Sequence, residues 1–198
     1  MTDTPLARCL WLDTSKPDYV EYHDNEWGVP VHNDQQLFEN LTLESAQAGL
    51  SWYTILKRRE GYRKAFANFD IKTVATFDEN KVESLMLNNE IIRNRLKITA
   101  TINNAKRFIE IQNEFGAFSD YLWGFVENKT IVNQFNNNDD HPTTSAISDK
   151  LSKDLKKRGF KFVGSTICYA YLQACGLIND HSLDCYKRKQ IIDRFNQL

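Results

Sequence analysis

Apolar positions recur every three or four residues through most of the chain, the spacing of one helical face. From Asp34, as N-cap, this pattern predicts a helix carrying Leu37, Phe38, Leu41 and Ala48. Ser51 starts a second helix with Ile55 and Leu56, continued by Tyr62, Ala65 and Phe66. Asp70 caps a third with Ile71, Val74 and Ala75, and Asp78 a fourth with Val82 and Leu85. A long fifth runs from Asn94 to Phe115 on a stripe of Ile98, Ile102, Ala105 and Ile109, with Gly116 as its stop. Ser119 caps a sixth with Leu122, Trp123 and Val126. Ser148 caps a seventh over 149–158, and Ser165 begins an eighth over 166–175, with Gly159 and Gly176 as their stops. Residues 186–198 read as a peripheral helix. Strand alternation is nearly absent, so the fold class is all-α.

Two stretches break the pattern. Residues 133–144, rich in Asn and Asp, read as a loop. Residues 18–28 hold Tyr19, Tyr22 and Trp27 without a clean period, which argues against a regular core helix there. Three large aromatics are costly to leave in water, so this segment is expected to lie over something.

Composition narrows the class. The 198 residues, 41% hydrophobic and 26% charged, fit one soluble domain, 1–198, with a sizeable core. No apolar run approaches the ~20 residues of a membrane span. Residues 1–7 read as a loose leader without a signal-peptide core. Four cysteines do not make a disulfide scaffold, and a cytoplasmic location is the default. The net charge of −1 demands a local basic patch for any nucleic-acid contact.

Chemistry concentrates in four places. In residues 43–52, Glu44 ends one helix pattern, Gly49 breaks it, and Trp52 opens the next. Acid and indole can meet across the turn; a buried Trp beside a solvated Glu is the alternative. Cys9 and His23 lie near one end of the chain and His181 and Cys185 near the other, the latter pair four apart, one helical turn. Two cysteines and two histidines make a closed tetrahedral set for one structural Zn2+, against four unrelated residues. Cys168 and Cys175 read as core.

Lys153, Lys156, Lys157, Arg158 and Lys161 surround Gly159-Phe160-Lys161-Phe162-Val163-Gly164. A two-helix hairpin of this kind exposes backbone N–H groups and a helix N-terminus to phosphate. Phe160 and Val163 would anchor it; an ordinary hairpin with a solvated basic face is the alternative. Finally, Tyr19, Tyr22, Trp27, Glu44 and Trp52, with Trp11, suit a flat cationic heterocycle stacked between rings beside a carboxylate. A core aromatic cluster is the bland reading.

Several long motifs carry a resemblance. They are Arg8-Cys9 with Trp11, residues 22–30, Leu43-Glu44 with residues 47–52, 91–94, 155–164, 167–169 and 173–181. Together they resemble the 3-methyladenine DNA glycosylase I family, in order from about Arg8 to Cys185. The resemblance implies a helix-hairpin-helix glycosylase fold, with the hairpin in 148–176 and a zinc-tied subregion of 8–30 and 176–190. It implies excision of 3-methyladenine, the product, from double-stranded alkylated DNA. It places the zinc ligands on Cys9, His23, His181 and Cys185. The base pocket falls on Tyr19, Tyr22, Glu44 and Trp52, with Trp11 and Trp27 as further aromatics. The DNA contacts fall on Gly159, Lys161, Val163 and Gly164.

Glu44 is then the expected catalytic residue, as a carboxylate recognising a cationic purine. Leu50 is a candidate wedge for the hole that a flipped base leaves. Asp180 and Asp184 lie roughly where the wider superfamily carries a catalytic Asp, yet the resemblance assigns neither that role. No lysine stands out as a Schiff-base nucleophile, so a monofunctional enzyme is expected; a monomer is expected as well. One departure stands out: the family usually reads Leu-Glu-Gly, and here Ser45 replaces the glycine. A zinc-stapled DNA-binding protein without chemistry and a zinc hydrolase are the competing classes.

Overall fold

In a computed structural model, which describes residues 6–135 and 141–195, the fold is built on two helices, α2 (Asp34–Gln47) and α7 (Arg95–Phe115). α2 is buried along Leu37, Phe38, Leu41 and Leu43, and Phe38 meets Phe108 of α7 edge-on at 5.1 Å. Burying such side chains is worth roughly 1.5–3 kcal/mol each, so this contact organises its neighbours. α3 (Trp52–Leu56), α4 (Arg59–Ala65), α5 (Ile71–Ala75) and α6 (Glu79–Leu87) follow α2 in the chain, and both α5 and α6 pack on α7. α8 (Phe118–Trp123) turns back against α2 and α7. The hairpin helices α9 (Ala146–Lys157) and α10 (Ser165–Ala174) pack on each other, and α10 also packs on α2. α11 (Tyr186–Phe195) follows near the C-terminus.

The first departure from the sequence pattern is α1 (Pro17–Asn25), a helix where residues 18–28 show no regular period. Pro17 begins it, as proline can at a helix start. Its period is hidden because the helix buries Tyr22 and His23 under polar and aromatic neighbours rather than in an aliphatic core. The helix expected from Ser51 to Phe66 is divided into α3 and α4, with Arg58 between them off helical geometry. A parallel pairing of β1 (Ile131–Val132) with β2 (Ile178–Asn179) is the exception to an otherwise helical chain. It clamps the C-terminal end of α10 to the segment before the Asn-rich loop, of which 136–140 lie outside the described residues. The predicted leader and tail helix likewise extend outside them, at 1–5 and 196–198.

Caps explain several boundaries. Ser51, Asp70 and Asp78 cap as the sequence predicts, and Asn94 caps α7. α2 is capped by Asn33 instead, through Gln36 N–H at 3.0 Å. Asp34 reaches across to α8, accepting from the N–H groups of Phe118 and Ser119 at 2.8 Å each. It does for α8 what Ser119 was expected to do. Ser145 and Ser148 cap α9 reciprocally, and α10 has no side-chain cap: Gly164 stands at that position. Among the described residues, no helix is long and apolar enough to cross a membrane.

Candidate functional site

α1, the C-terminal half of α2, the start of α3 and the inner face of α10 enclose a cavity of about 380 Å³. Trp11, Tyr19, Tyr22, Trp27, Glu44 and Trp52, all expected from the sequence, line it together. Glu44 sits one turn before the end of α2, and Gly49, at φ +79°, reverses the chain so that Trp52 at the start of α3 comes back beside it. Tyr22 packs against Trp52 with ring centroids 5.2 Å apart. Trp11 meets Trp27 edge-on at 4.9 Å. The rings therefore form a box rather than a stacked core.

Glu44 is 5% exposed, and among the described residues no hydrogen bond or ion pair reaches its carboxylate. Burial alone pushes its pKa up to about 8. An uncompensated buried acid is costly, and it persists where a ligand supplies the missing partner. Burial, and then Glu44 itself, raise the Tyr22 hydroxyl well above its ordinary range, so it stays a hydrogen-bond donor.

A second cluster stands behind the aromatic wall. Cys9, His23, His181 and Cys185 are all buried, and one donor atom from each lies within 4.8 Å of the others. His181 Nδ1 is 3.3 Å from Cys9 Sγ and 3.4 Å from Cys185 Sγ; His23 Nε2 is 3.6 Å from Cys185 Sγ. A tetrahedral ion bound at roughly 2.0–2.3 Å has ligand–ligand edges of roughly 3.3–3.8 Å, so the group fits a metal. The remaining ring nitrogens fix the tautomers. His23 Nδ1 lies 2.7 Å from Asp24 and His181 Nε2 lies 3.0 Å from the Trp27 carbonyl, both acceptors, so each histidine points its lone pair inward. Arg8 in turn pairs with Asp24 at 2.8 Å. The His181–Cys185 spacing does not lie on a helix, contrary to the sequence reading; it is a turn between β2 and α11, in which Cys185 N–H bonds Ser182 C=O at 2.9 Å. Gly28, at φ +79°, passes so close that a Cβ there would stand 3.0 Å from His181 Nε2.

The hairpin connects α9 to α10 through Arg158–Gly164. Its carbonyls are taken from behind: Gly159 by Asn103 at 2.9 Å, Lys161 by Asn104 at 3.0 Å and Val163 by Ser152 at 2.6 Å. Phe160 and Val163 are buried as anchors, so Val163 offers its backbone and not its side chain. Among the described residues, the N–H groups of Phe162, Val163 and Gly164 find no acceptor, and Lys161 is exposed beside them. Leu50, 40% exposed, shares a second cavity of about 200 Å³ with Thr166, Ile167 and Glu44. Glu44 thus stands between the aromatic box and the face carrying Leu50 and the hairpin.

The chain matches the methyladenine glycosylase family model over residues 11–189. It is 49% identical over 180 residues to DNA-3-methyladenine glycosylase 1 of Escherichia coli K12, covering 91% of this chain and 96% of that protein. It belongs to the 3-methyladenine DNA glycosylase I family. A crystal structure of a 3-methyladenine DNA glycosylase I superposes with a TM-score of 0.88 at 48% identity, over 91% of this chain and 98% of that one. The glycosylase of Staphylococcus aureus, studied for its recognition of 3-methyladenine, superposes at 0.89 with 37% identity, over 93% and 98%.

Sequence reasoning missed part of the cavity lining. Gln47, Ala170, Gln173 and residues 141–143 also line the cavity. Gln173 is a polar residue in the otherwise apolar run of α10, which is the signal it offered. Lys97 was not singled out either. Its ammonium donates to the carbonyls of Ala46 and Ala48 at 2.8 and 2.7 Å, closing the end of α2 and holding the turn that presents Leu50. Asp184 is exposed and Asp180 is buried with its oxygens engaged, and neither lines the cavity.

Proposed function

We propose that this glycosylase flips 3-methyladenine out of alkylated duplex DNA into the aromatic box and hydrolyses its N-glycosidic bond. The observation that carries the reading is Glu44, buried and unpartnered among the described residues, on the wall of a cavity made of Tyr22, Trp52 and their neighbours. In DNA the lesion is a cation. When the C1′–N9 bond breaks, its electron pair passes to the base, which leaves neutral, and water adds to C1′ with loss of a proton. The leaving group is already activated, so the protein's task is to extrude, hold and stabilise. An ionised Glu44 matches the cation and the positive charge that moves onto the sugar. At pH 7 a carboxyl with a pKa near 8 is mostly neutral, and ionising it costs about 1.4 kcal/mol. A cationic purine offsets that cost; a neutral adenine does not. Ring stacking adds roughly 1–3 kcal/mol without distinguishing the two.

The four buried Cys and His donors are a structural Zn2+ site in this reading. A closed set of four leaves no position for a catalytic water. Its role is to cross-link α1, which supplies Tyr19 and Tyr22, to the segment after β2. The free N–H groups of the hairpin and Lys161 bind backbone phosphate as a helix-hairpin-helix, and Leu50 fills the vacated stack. Among the described residues no lysine lines the cavity, which supports a monofunctional enzyme without lyase activity.

The test is release of free bases from methylated duplex DNA, separated by chromatography, for wild type and Glu44→Gln. The expected result is 3-methyladenine from wild type and a loss of about 100-fold or more in the variant, with fold and DNA affinity retained. A folded, metal-loaded wild type that releases nothing overturns the proposal.

A further inference from the structure

Asp180 is 1% exposed and receives three donors. Tyr169 OH and Gln173 Nε2 reach one oxygen at 2.5 and 2.7 Å, and Asn133 Nδ2 reaches the other at 2.7 Å. A carboxylate in such company only accepts, so the Gln173 atom facing it must be the amide nitrogen. This fixes an otherwise ambiguous amide. Gln173 lines the base cavity from α10, and among the described residues its Oε1 has no partner.

We propose that Gln173 reads the exocyclic amino group of the flipped base, and that Asp180 is the positioning residue that keeps the amide oxygen available. The inference rests on the base-excision reading above and deepens it. Gln173 Oε1 and the Glu44 carboxylate are both acceptors on the wall of one cavity. An adenine-type ring presents two N–H donors at its 6-position. A guanine-type ring presents a carbonyl oxygen there, which sets acceptor against acceptor. Sites built to hydrogen-bond a substrate N–H reject an analogue lacking it more strongly than a shape mismatch does. The methyl group and the positive charge are common to 3-methyladenine and 3-methylguanine in DNA, so charge recognition by Glu44 cannot separate them; the 6-position can. Asp180, a candidate for chemistry by its place after the hairpin, thereby acquires a role through Gln173 instead.

The experiment uses duplex DNA carrying both 3-methyladenine and 3-methylguanine. Wild type, Gln173→Leu and Asp180→Asn are compared by the ratio of the two bases released, with melting and duplex affinity as controls. In Gln173→Leu the ratio is expected to fall about tenfold, by loss of 3-methyladenine release. In Asp180→Asn the new amide N–H can turn the Gln173 oxygen toward itself and present the Gln173 amino group to the cavity, and the ratio falls in the same direction. A purely structural Asp180 lowers both releases together and leaves the ratio alone; that result, or an unchanged ratio in folded Gln173→Leu, overturns the proposal. If the variants do not fold, wild type is titrated with free 3-methyladenine and with 3-methylhypoxanthine, which carries oxygen at the 6-position. Binding of the second at least about tenfold weaker is expected, and equal affinity overturns the inference. Wild type releasing no base at all is the separate failure of the excision reading.

Discussion

The Ser45 hydroxyl, on α2 beside Glu44, donates to the Phe162 carbonyl in the hairpin turn at 3.1 Å. Phe162 holds φ at +54°, a conformation that non-glycine residues adopt at some cost. One hydrogen bond therefore joins the helix that carries the buried acid to the turn proposed to meet DNA. It also settles where the Ser45 side chain points: toward the hairpin, with Ser45 absent from the lining of the aromatic box.

Ser45→Ala removes the donor and leaves a part-buried carbonyl unpaired. The expected loss is about 1 kcal/mol of stability, read by urea denaturation. Excision from duplex DNA should fall a few-fold, while binding of free 3-methyladenine stays unchanged because the box is intact. Equal stability and equal duplex turnover in the variant would show that the contact links nothing.

Glu44 makes the protein's stability fall as pH rises. Its pKa is about 4.5 unfolded and about 8 folded, so the folded state binds the extra proton between those values. The contribution is fully present below about 4.5 and is lost as pH rises to and through 8. At one unit per 1.36 kcal/mol the upper bound is roughly 5 kcal/mol. Glu44→Gln should match wild type in stability near pH 4.5 and exceed it by a few kcal/mol at pH 9. Denaturation curves at the two pH values decide this; an equal difference at both would place the Glu44 pKa in the ordinary range.

Much of this site was legible because single residue types carried it. Two cysteines and two histidines, Glu44 among aromatics, and Gly159 and Gly164 among basic residues each suggest a chemistry, beside a purely structural alternative. What escaped were relationships between distant backbones. Asp34 gives no sign in sequence that it caps α8 rather than α2. α1 hides its period because its buried side faces the Cys/His cluster and a cavity, not aliphatic side chains. Gln173 acquires meaning only when Asp180, seven residues on, comes round to hold its amide. Helical periodicity reports burial against apolar partners and is silent about polar ones.

Removing the metal should loosen the aromatic box before it unfolds the core. Trp27 stacks edge-on to His181 at 4.6 Å, and Trp11 to His23 at 5.3 Å, so two box walls rest on histidines of the proposed metal site. The purified protein is expected to hold one zinc per chain by elemental analysis. Chelation, or His181→Ala, should lower the melting temperature by about ten degrees and change tryptophan fluorescence. Helix content by circular dichroism should fall little at 25 °C, since α2 and α7 pack on a separate cluster of side chains. Full retention of fluorescence and melting after verified metal loss would remove zinc from the account.

Leu50 tests whether extrusion and capture are separable. It stands at the turn after α2, 40% exposed, held there by Lys97 through the Ala46 and Ala48 carbonyls. It packs little, so Leu50→Ala should cost well under 1 kcal/mol of stability. Its apolar tip is expected to fill the gap in the duplex, and unstacking a base costs a few kcal/mol. Excision from duplex DNA should therefore fall about tenfold or more. Excision of the same lesion from single-stranded DNA, where little stacking must be broken, should fall less than twofold. Lys97→Met should show the same asymmetry more weakly, because it frees the turn without removing the side chain. If duplex and single-stranded rates fall together in Leu50→Ala, the residue belongs to the box and the wedge must be sought elsewhere on the hairpin face.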